Sequence, residues 1–317
     1  MDSTRCGTLP TTARRVIIVR NPHAGAVSTV GPVERLMRDL ARRELDPHLI
    51  TDANELEDTA ARWHAAGQLR AVVAAGGDGT AGLVANRIAS DIPMTLLPLG
   101  TENLLARYLL LSADTASLAH VIRNGRTIQM DAGAVRVGDA PAKLFLLMIG
   151  CGFDAEVIRR LHERRRGHIT HLSYFKPILS TMREFAYPEM KVTYTSTQSQ
   201  QERSISAHWV FVFNTPSYAR SLPICPTADP TDGQLDIVAF NGGSTWHGFG
   251  HLFAVLQRRH HRQVGVEMGR AERIRIEAIG PTPFQADGDP GGVLPIEIET
   301  QAARLTMVVP ERWRPEL

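Results

Sequence analysis

Three times in its first third, the chain runs from a short apolar stretch into a turn-forming cluster and then into a helical pattern. Val16–Val19 ends in Asn21-Pro22-His23-Ala24-Gly25, Ala71–Ala75 runs into Gly76-Gly77-Asp78-Gly79-Thr80, and Met94–Leu97 leads to Pro98-Leu99-Gly100-Thr101. The first helix is read from Val33, Leu36, Met37, Leu40 and Ala41 at i, i+3, i+4, i+7, i+8, with Pro32 suited to its first turn. Leu83, Val84 and Ile88 mark the second, and Ser112 is the expected cap of a later helix stopping at Asn124-Gly125. Strands alternating with helices imply right-handed crossovers and a parallel sheet covered on both faces. Such sheets bind ligands at the carboxyl ends of their strands. Glycine there lets backbone N–H groups and a helix N-terminus approach an anion. GxxxxGK[ST] does not occur, so a P-loop is not indicated.

Past Asp131 the grammar changes. Val135–Val137, Lys143–Ile149, Met190–Tyr194, Trp209–Phe213, Leu235–Phe240, Ile274–Ala278, Ile296–Ile298 and Leu305–Val309 read as strands joined by turns, which predicts an antiparallel sandwich or barrel-like domain. Helical patterns interrupt it at Ala155–Phe185 and Trp246–His260, and Thr195–Arg203 reads as a polar connection. The expected class is α/β plus β. A Rossmann-like three-layer α/β domain would span 1–131 and a β-rich domain 132–310, with 311–317 open to returning to the first; 317 residues suit two domains.

Charge and cysteine usage narrow the functions. Lys plus Arg (35) nearly balances Asp plus Glu (33), so nothing pulls the whole chain toward nucleic acid. Cys6, Cys151 and Cys225 follow no metal or disulfide spacing, and no apolar run reaches membrane-spanning length, which together predict a cytoplasmic protein. There is no HExxH, His260-His261 diverge on a helix, and there is no GxSxG elbow, so zinc and hydrolase chemistry are poor fits. Two basic clusters, Arg159–Arg166 with His162, His168 and His171, and Arg258–Arg262, read either as solvated helix faces or as docking sites for anionic lipid. Beside the first, Leu172, Tyr174, Phe175, Ile178 and Leu179 read as the core side of a helix, with a lipid-accepting cleft as the alternative.

Taken in order, Asn21–Gly25, Gly76–Thr80, Pro98-Leu-Gly-Thr-Glu-Asn103 with Ala106-Arg107, Gly150-Cys-Gly-Phe-Asp154 and Asp287-Gly-Asp289 resemble the diacylglycerol kinase catalytic-domain family, which includes related lipid, sphingosine and ceramide kinases. The resemblance implies an N-terminal nucleotide domain and a C-terminal β-sandwich with ATP between them. It places Asn21 and Gly25 at the nucleotide's border and Gly76, Gly77, Gly79 and Thr80 around its phosphates. Thr101 and Asn103 complete that pocket. Asp78 and Asp131 fall in a Mg²⁺ and water network, Asp287 matches the general base, and Asp289 stands where the family usually has glutamate, a metal position. Asp229, Asp232 and Gln234 match a structural magnesium loop with Asp232 as the carboxylate ligand; an Asp-Gly turn between strands is the alternative. Leu104 replaces an aspartate of the family's metal network, although the sphingosine-kinase-like branch carries an apolar residue there. Ala24 replaces a hydroxyl residue. The implied activity is ATP- and Mg²⁺-dependent phosphorylation of a lipid hydroxyl, first of all diacylglycerol, by a protein peripheral to a membrane. Nucleic acid is not an expected partner, and a homodimer is open. The alternatives are another acceptor (a sphingoid base, another lipid alcohol or NAD) and a nucleotide- or lipid-binding regulator without catalysis.

Overall fold

A computed structural model of the chain describes residues 6–20, 29–163, 181, 184–196, 201–216, 218, 222, 224–244, 247, 250–251, 254–255, 257 and 264–314. Two compact units are present, one formed by Met1–Asp131 with Ala302–Leu317 and the other by Ala132–Gln301.

The first unit contains β1 (Cys6–Thr8), β2 (Arg15–Arg20), α1 (Val30–Ala41), β3 (Asp46–Ile50), α2 (Ala53–Ala65), β4 (Leu69–Gly76), α3 (Asp78–Ala85), β5 (Pro93–Pro98), α4 (Leu104–Tyr108) and α5 (Thr115–Asn124). It also holds the start of β6 (Arg126–Arg136) and the end of the last strand, β16 (Ile296–Val309). Its sheet runs β3-β2-β4-β5-β16, parallel throughout. Every residue of β4 is buried. Since alternate side chains point to opposite faces, both faces of the sheet are covered. Val33, Leu36 and Leu40 form the inner stripe of α1, as their spacing predicts. The cap of α5 is Asp114, which accepts from Ser117 N at 2.9 Å; Ser112, the expected cap, lies too early to reach the first turn. Ala75 lies opposite Arg20 and Gly76 opposite Pro98, so the three strands expected to carry the turns end level with one another.

The end of the chain departs from its expected place. Leu305–Val309 is a strand, but not one of the second domain: Thr306 and Met307 pair in parallel with Pro93 and Met94, and Thr95 Oγ1 donates to Val308 O at 3.1 Å. The crossing back thus comes at Ala302 rather than after 310, because Ile296–Ile298 and Leu305–Val309 are two halves of one long strand. Trp313, 2% exposed, donates its indole N–H to Tyr108 O at 2.9 Å.

The second unit holds the rest of β6 and β16 with β7 (Lys143–Phe145), β8 (Met148–Gly152), α6 (Phe153–Glu163), β9 (Met190–Ser196), β10 (Glu202–Ala207), β11 (Trp209–Phe213), β12 (Leu235–Phe240), β13 (Val266–Ala278), β14 (Pro283–Ala286) and β15 (Asp289–Val293). One antiparallel layer runs β15-β14-β8-β11-β12-β13. From Ala271 on, across a register shift before Ile274, β13 pairs with β9 and β16 and so enters the other layer. Ile149, Val210, Val212 and Ile237 from one layer and Val192, Ile274, Ile276 and Ile296 from the other share one core, which makes a β-sandwich. At the connection expected at Thr195–Arg203, the described ends belong to the antiparallel strands β9 and β10, with Thr195 opposite Glu202, and residues 197–200 lie outside the described residues.

Arg70 opens a prediction about the first unit. Only 2% exposed, it donates to Ile122 O at 2.9 Å, to Arg123 O at 2.6 Å and to Pro10 O. Two of these acceptors are among the last carbonyls of α5, which have no intrahelical donor. Burial and the nearby Arg123 charge both pull the Arg70 pKa down. Arg70→Met is expected to destabilise the first unit by about 3 kcal/mol, read from urea unfolding, because buried carbonyls lose charged donors.

Candidate functional site

In the first unit, the tips of β4 and β5 meet through bare backbone. A methyl group on Gly100 would lie 2.6 Å from the Cα of Gly77 and 2.8 Å from Asn103 Oδ1, so there is no room for a side chain at Gly100, and one on Gly77 would press on the Gly100 Cα at 3.3 Å. Asn103, left-handed at φ 51°, clasps the second turn: its Oδ1 accepts from Gly100 N at 2.9 Å and its Nδ2 donates to Gly100 O at 2.7 Å. Gly77 caps α3, and its carbonyl accepts from Thr80 N and Ala81 N. Asp78, in the first turn of α3, reaches across to cap the next helix. Its Oδ2 accepts from Leu104 N at 3.0 Å and its Oδ1 from Leu105 N at 3.1 Å. Burial pushes the Asp78 pKa up, and the two N–H donors oppose that shift. Leu104 is therefore apolar in its side chain and polar in its role, a buried residue whose backbone fixes Asp78.

Other expected members of this half take different places. Gly79 and Thr101 are exposed at the two turns. Thr80 is 2% exposed, and its hydroxyl packs against Gly76, where a methyl would fall 2.2 Å from Oγ1. Its side chain therefore braces the turn from behind. Asp131 is fully buried and accepts from Ala303 N at 2.6 Å, tying β6 to β16. Asn21 and Gly25 lie outside the described residues.

In the second unit, Asp287 and Gly288 form the two-residue loop between β14 and β15, at φ 52° and 86°, with Ala286 paired to Asp289. Two positive φ values in a two-residue hairpin define a type I′ turn, for which Asp-Gly is a favoured pair. The Asp287 carboxylate accepts three backbone N–H groups: Leu146 at 2.7 Å, Leu147 at 2.8 Å and Met148 at 3.1 Å. This explains why Lys143–Ile149, one strand by its pattern, is two strands in the fold. Leu146 and Leu147, which separate β7 from β8, give their N–H groups to the carboxylate. Asp289 is exposed at the start of β15.

The same turn is tied to an acid that the sequence motif contained without a role. Gln285, 1% exposed, accepts from Gly288 N at 2.8 Å and donates to Asp154 Oδ2 at 2.9 Å. Tyr218 donates its hydroxyl to the other Asp154 oxygen. Gly150 leaves the space for this, since a methyl there would sit 2.3 Å from Asp154 Oδ2. Burial pushes the Asp154 pKa up, against the two hydrogen bonds. Asp154 was legible only as part of Gly150–Asp154; its link to the turn needs the pairing of β8 with β14.

Elsewhere, Asp229 Oδ1 accepts from Thr231 N and Oγ1 at 2.9 and 2.7 Å, and Asp232 Oδ1 accepts from Gln234 N at 2.9 Å. The second Asp232 oxygen is ion-paired with Arg270. Among the described residues, no three His, Cys, Asp or Glu side chains are grouped to hold a metal ion. Arg159 and Arg160, which open the first basic cluster, are both paired with Glu156, and further with Glu163 and Glu184 respectively. The rest of that cluster except His162, the apolar set Leu172–Leu179 and all of Arg258–Arg262 lie outside the described residues. Burial raises the Cys151 thiol pKa, which suits a core residue rather than a nucleophile. No helix among the described residues is long and apolar enough to cross a membrane.

Residues 15–135 match the diacylglycerol kinase catalytic domain, and residues 148–309 match the YegS C-terminal NAD kinase beta sandwich-like domain. The chain belongs to the diacylglycerol kinase catalytic-domain family. It is 28% identical over 301 residues to a diacylglycerol kinase of Mycobacterium tuberculosis, covering 93% of this chain and 95% of that one. With a diacylglycerol kinase of Bacillus subtilis it shares 23% identity, covering 96% and 99%. In fold it is similar to the crystal structure of a diacylglycerol kinase from Bacillus anthracis str. Sterne, with a TM-score of 0.67 at 22% identity over 93% of this chain and 96% of that one. It is similar also to an NAD kinase from Archaeoglobus fulgidus solved in complex with ATP, with a TM-score of 0.50 at 13% identity, covering 95% of each chain. As a member of the diacylglycerol kinase family, the chain is a kinase with an alcohol group as acceptor.

Gly100→Ala tests the contact between the turns. The added methyl would force Gly77 or the Asn103 clasp to move, and overpacking of this kind costs about 1–3 kcal/mol. The expected result is a lower unfolding midpoint for the first unit; an unchanged midpoint would mean that the turns do not meet there.

Proposed function

We propose that this kinase transfers the γ-phosphoryl group of ATP to the hydroxyl of a membrane lipid, with diacylglycerol as the first acceptor. The observation that carries the reading is the close backbone approach of Gly77 and Gly100 in the turns Gly76–Thr80 and Gly100–Asn103, at level carboxyl ends of parallel strands. Backbone N–H groups in such turns, next to the N-terminus of α3, suit a polyphosphate. Phosphoryl transfer asks the protein mainly for positioning and charge stabilisation. Asp287 fits the remaining task, taking the proton of the acceptor hydroxyl, because three backbone N–H groups hold its carboxylate at a fixed point. Mg²⁺ would arrive as the counter-ion of ATP. An ion that commonly binds one or two carboxylates plus phosphate oxygens needs no protein cage, and the described residues provide none. Asp78 and Asp131 have backbone partners first, so their part in any metal and water network is indirect.

Diacylglycerol is preferred over NAD because the relatives similar along nearly the whole chain carry that name. Purified protein should turn over ATP with diacylglycerol vesicles and not with NAD. Turnover with a sphingoid base alone would move the acceptor, and ATP binding without turnover on any alcohol would overturn the kinase assignment of this site. Asp287→Asn tests the base, read beside the unfolding midpoint, because the amide has one acceptor oxygen where the carboxylate uses both. Asn-Gly suits a type I′ turn as well as Asp-Gly does, so the hairpin should persist. The expected loss in kcat is about 100-fold or more, with ATP affinity retained. Equal turnover in that variant would remove Asp287 from the role.

A further inference from the structure

The loop from Asp229 to Asp236 resembles one that holds a structural divalent cation, yet its carboxylates already have partners. Asp229 Oδ1 takes two donors from Thr231, and Asp232 Oδ1 takes Gln234 N. The other Asp232 oxygen is bonded to Arg270 Nη2, and Arg270 Nε lies 3.5 Å from Asp236 Oδ1. Arg270 and Asp236 face each other across the β12–β13 pairing, so the guanidinium rises from a fixed strand position directly beneath the loop. Asp236 is 4% exposed, and the side chains of Arg270 and Asp232 are only partly exposed, so water screens this group incompletely.

We propose that the Arg270 guanidinium is the resident cation of this loop, and that the loop takes no divalent metal. Three aspartates within eight residues repel one another unless a cation lies among them. Divalent ions of the Mg²⁺ or Ca²⁺ type need several oxygen ligands at about 2.0–2.6 Å. Here the reachable Asp232 oxygen is held by a positive group that would also repel the ion. The planar fork of arginine can address two carboxylates at once and never loses its charge, which lysine or a hydrated ion does not match. In consequence the loop is fastened to β13 by the protein alone, whatever the metal content of the medium. The proposal stands apart from the kinase reading, since neither Arg270 nor this loop is assigned to the transfer.

Thermal unfolding of the full chain without nucleotide tests it. The wild-type midpoint should be the same in EDTA, in millimolar Mg²⁺ and in millimolar Ca²⁺. Arg270→Met should melt about 3–5 °C lower in EDTA. It should recover part of that loss in Mg²⁺ or Ca²⁺, and the recovery should vanish when Asp232→Asn is added. Should the methionine variant fail to fold, Arg270→Lys, which keeps the charge, should fold and melt between wild type and the expected methionine value. A wild-type midpoint that falls in EDTA and rises with Mg²⁺, with both responses lost in Asp232→Asn, would place a metal in the loop and overturn the proposal. So would an Arg270→Met loss that no cation repairs, because the guanidinium would then act through shape and not charge.

Discussion

Within each unit, carboxylates that accept backbone N–H groups hold the candidate site residues in place. Asp78 takes Leu104 and Leu105, Asp131 takes Ala303, and Asp287 takes Leu146, Leu147 and Met148. Each bond reaches far along the chain, so each acid fixes a segment that no local pattern could place. Asp78 sets where α4 begins, Asp287 breaks one apolar run into β7 and β8, and Asp131 secures the return of β16. Backbone groups that cannot pair within a strand or a helix must find another partner when buried. A carboxylate is a strong one because its bonds to N–H are charge-assisted.

This double use changes how the acidic residues of the site are understood. Their identity is required by geometry before any reaction is considered, so a loss of activity on substitution must be separated from a loss of position. Leu104 follows the same logic. The family commonly carries a further acid there, and this chain keeps the backbone N–H that Asp78 needs while burying an apolar side chain. On α6, Arg159 and Arg160, read as part of either a solvated helix face or a lipid-docking cluster, both pair with Glu156.

What the sequence disclosed depended on how local the cause was. The continuous apolar run of β4 and the i, i+3, i+4 stripe of α1 report their own burial, and both were legible. Strand β3 was not, because its edge position leaves Asp46, His48 and Leu49 at least partly in solvent and Pro47 interrupts the pattern. Leu305–Val309 was legible as a strand but not as a parallel partner of β5, since periodicity carries no information about which strand lies alongside. The glycines of the two turns announced a close approach; that they approach each other appears only in the fold. Gln285 and Arg270 gave no signal: both lie outside the strands read from the sequence, and their partners lie 131 and 38 positions away.

The central claim is that the backbone of the two touching turns is where the triphosphate rests. Amide hydrogen exchange of the full chain, with and without a non-hydrolysable ATP analogue and Mg²⁺, measures this most directly. Added protection should concentrate in peptides covering residues 76–81 and 99–105. Saturating nucleotide that leaves both segments exchanging at their unliganded rates would contradict the account.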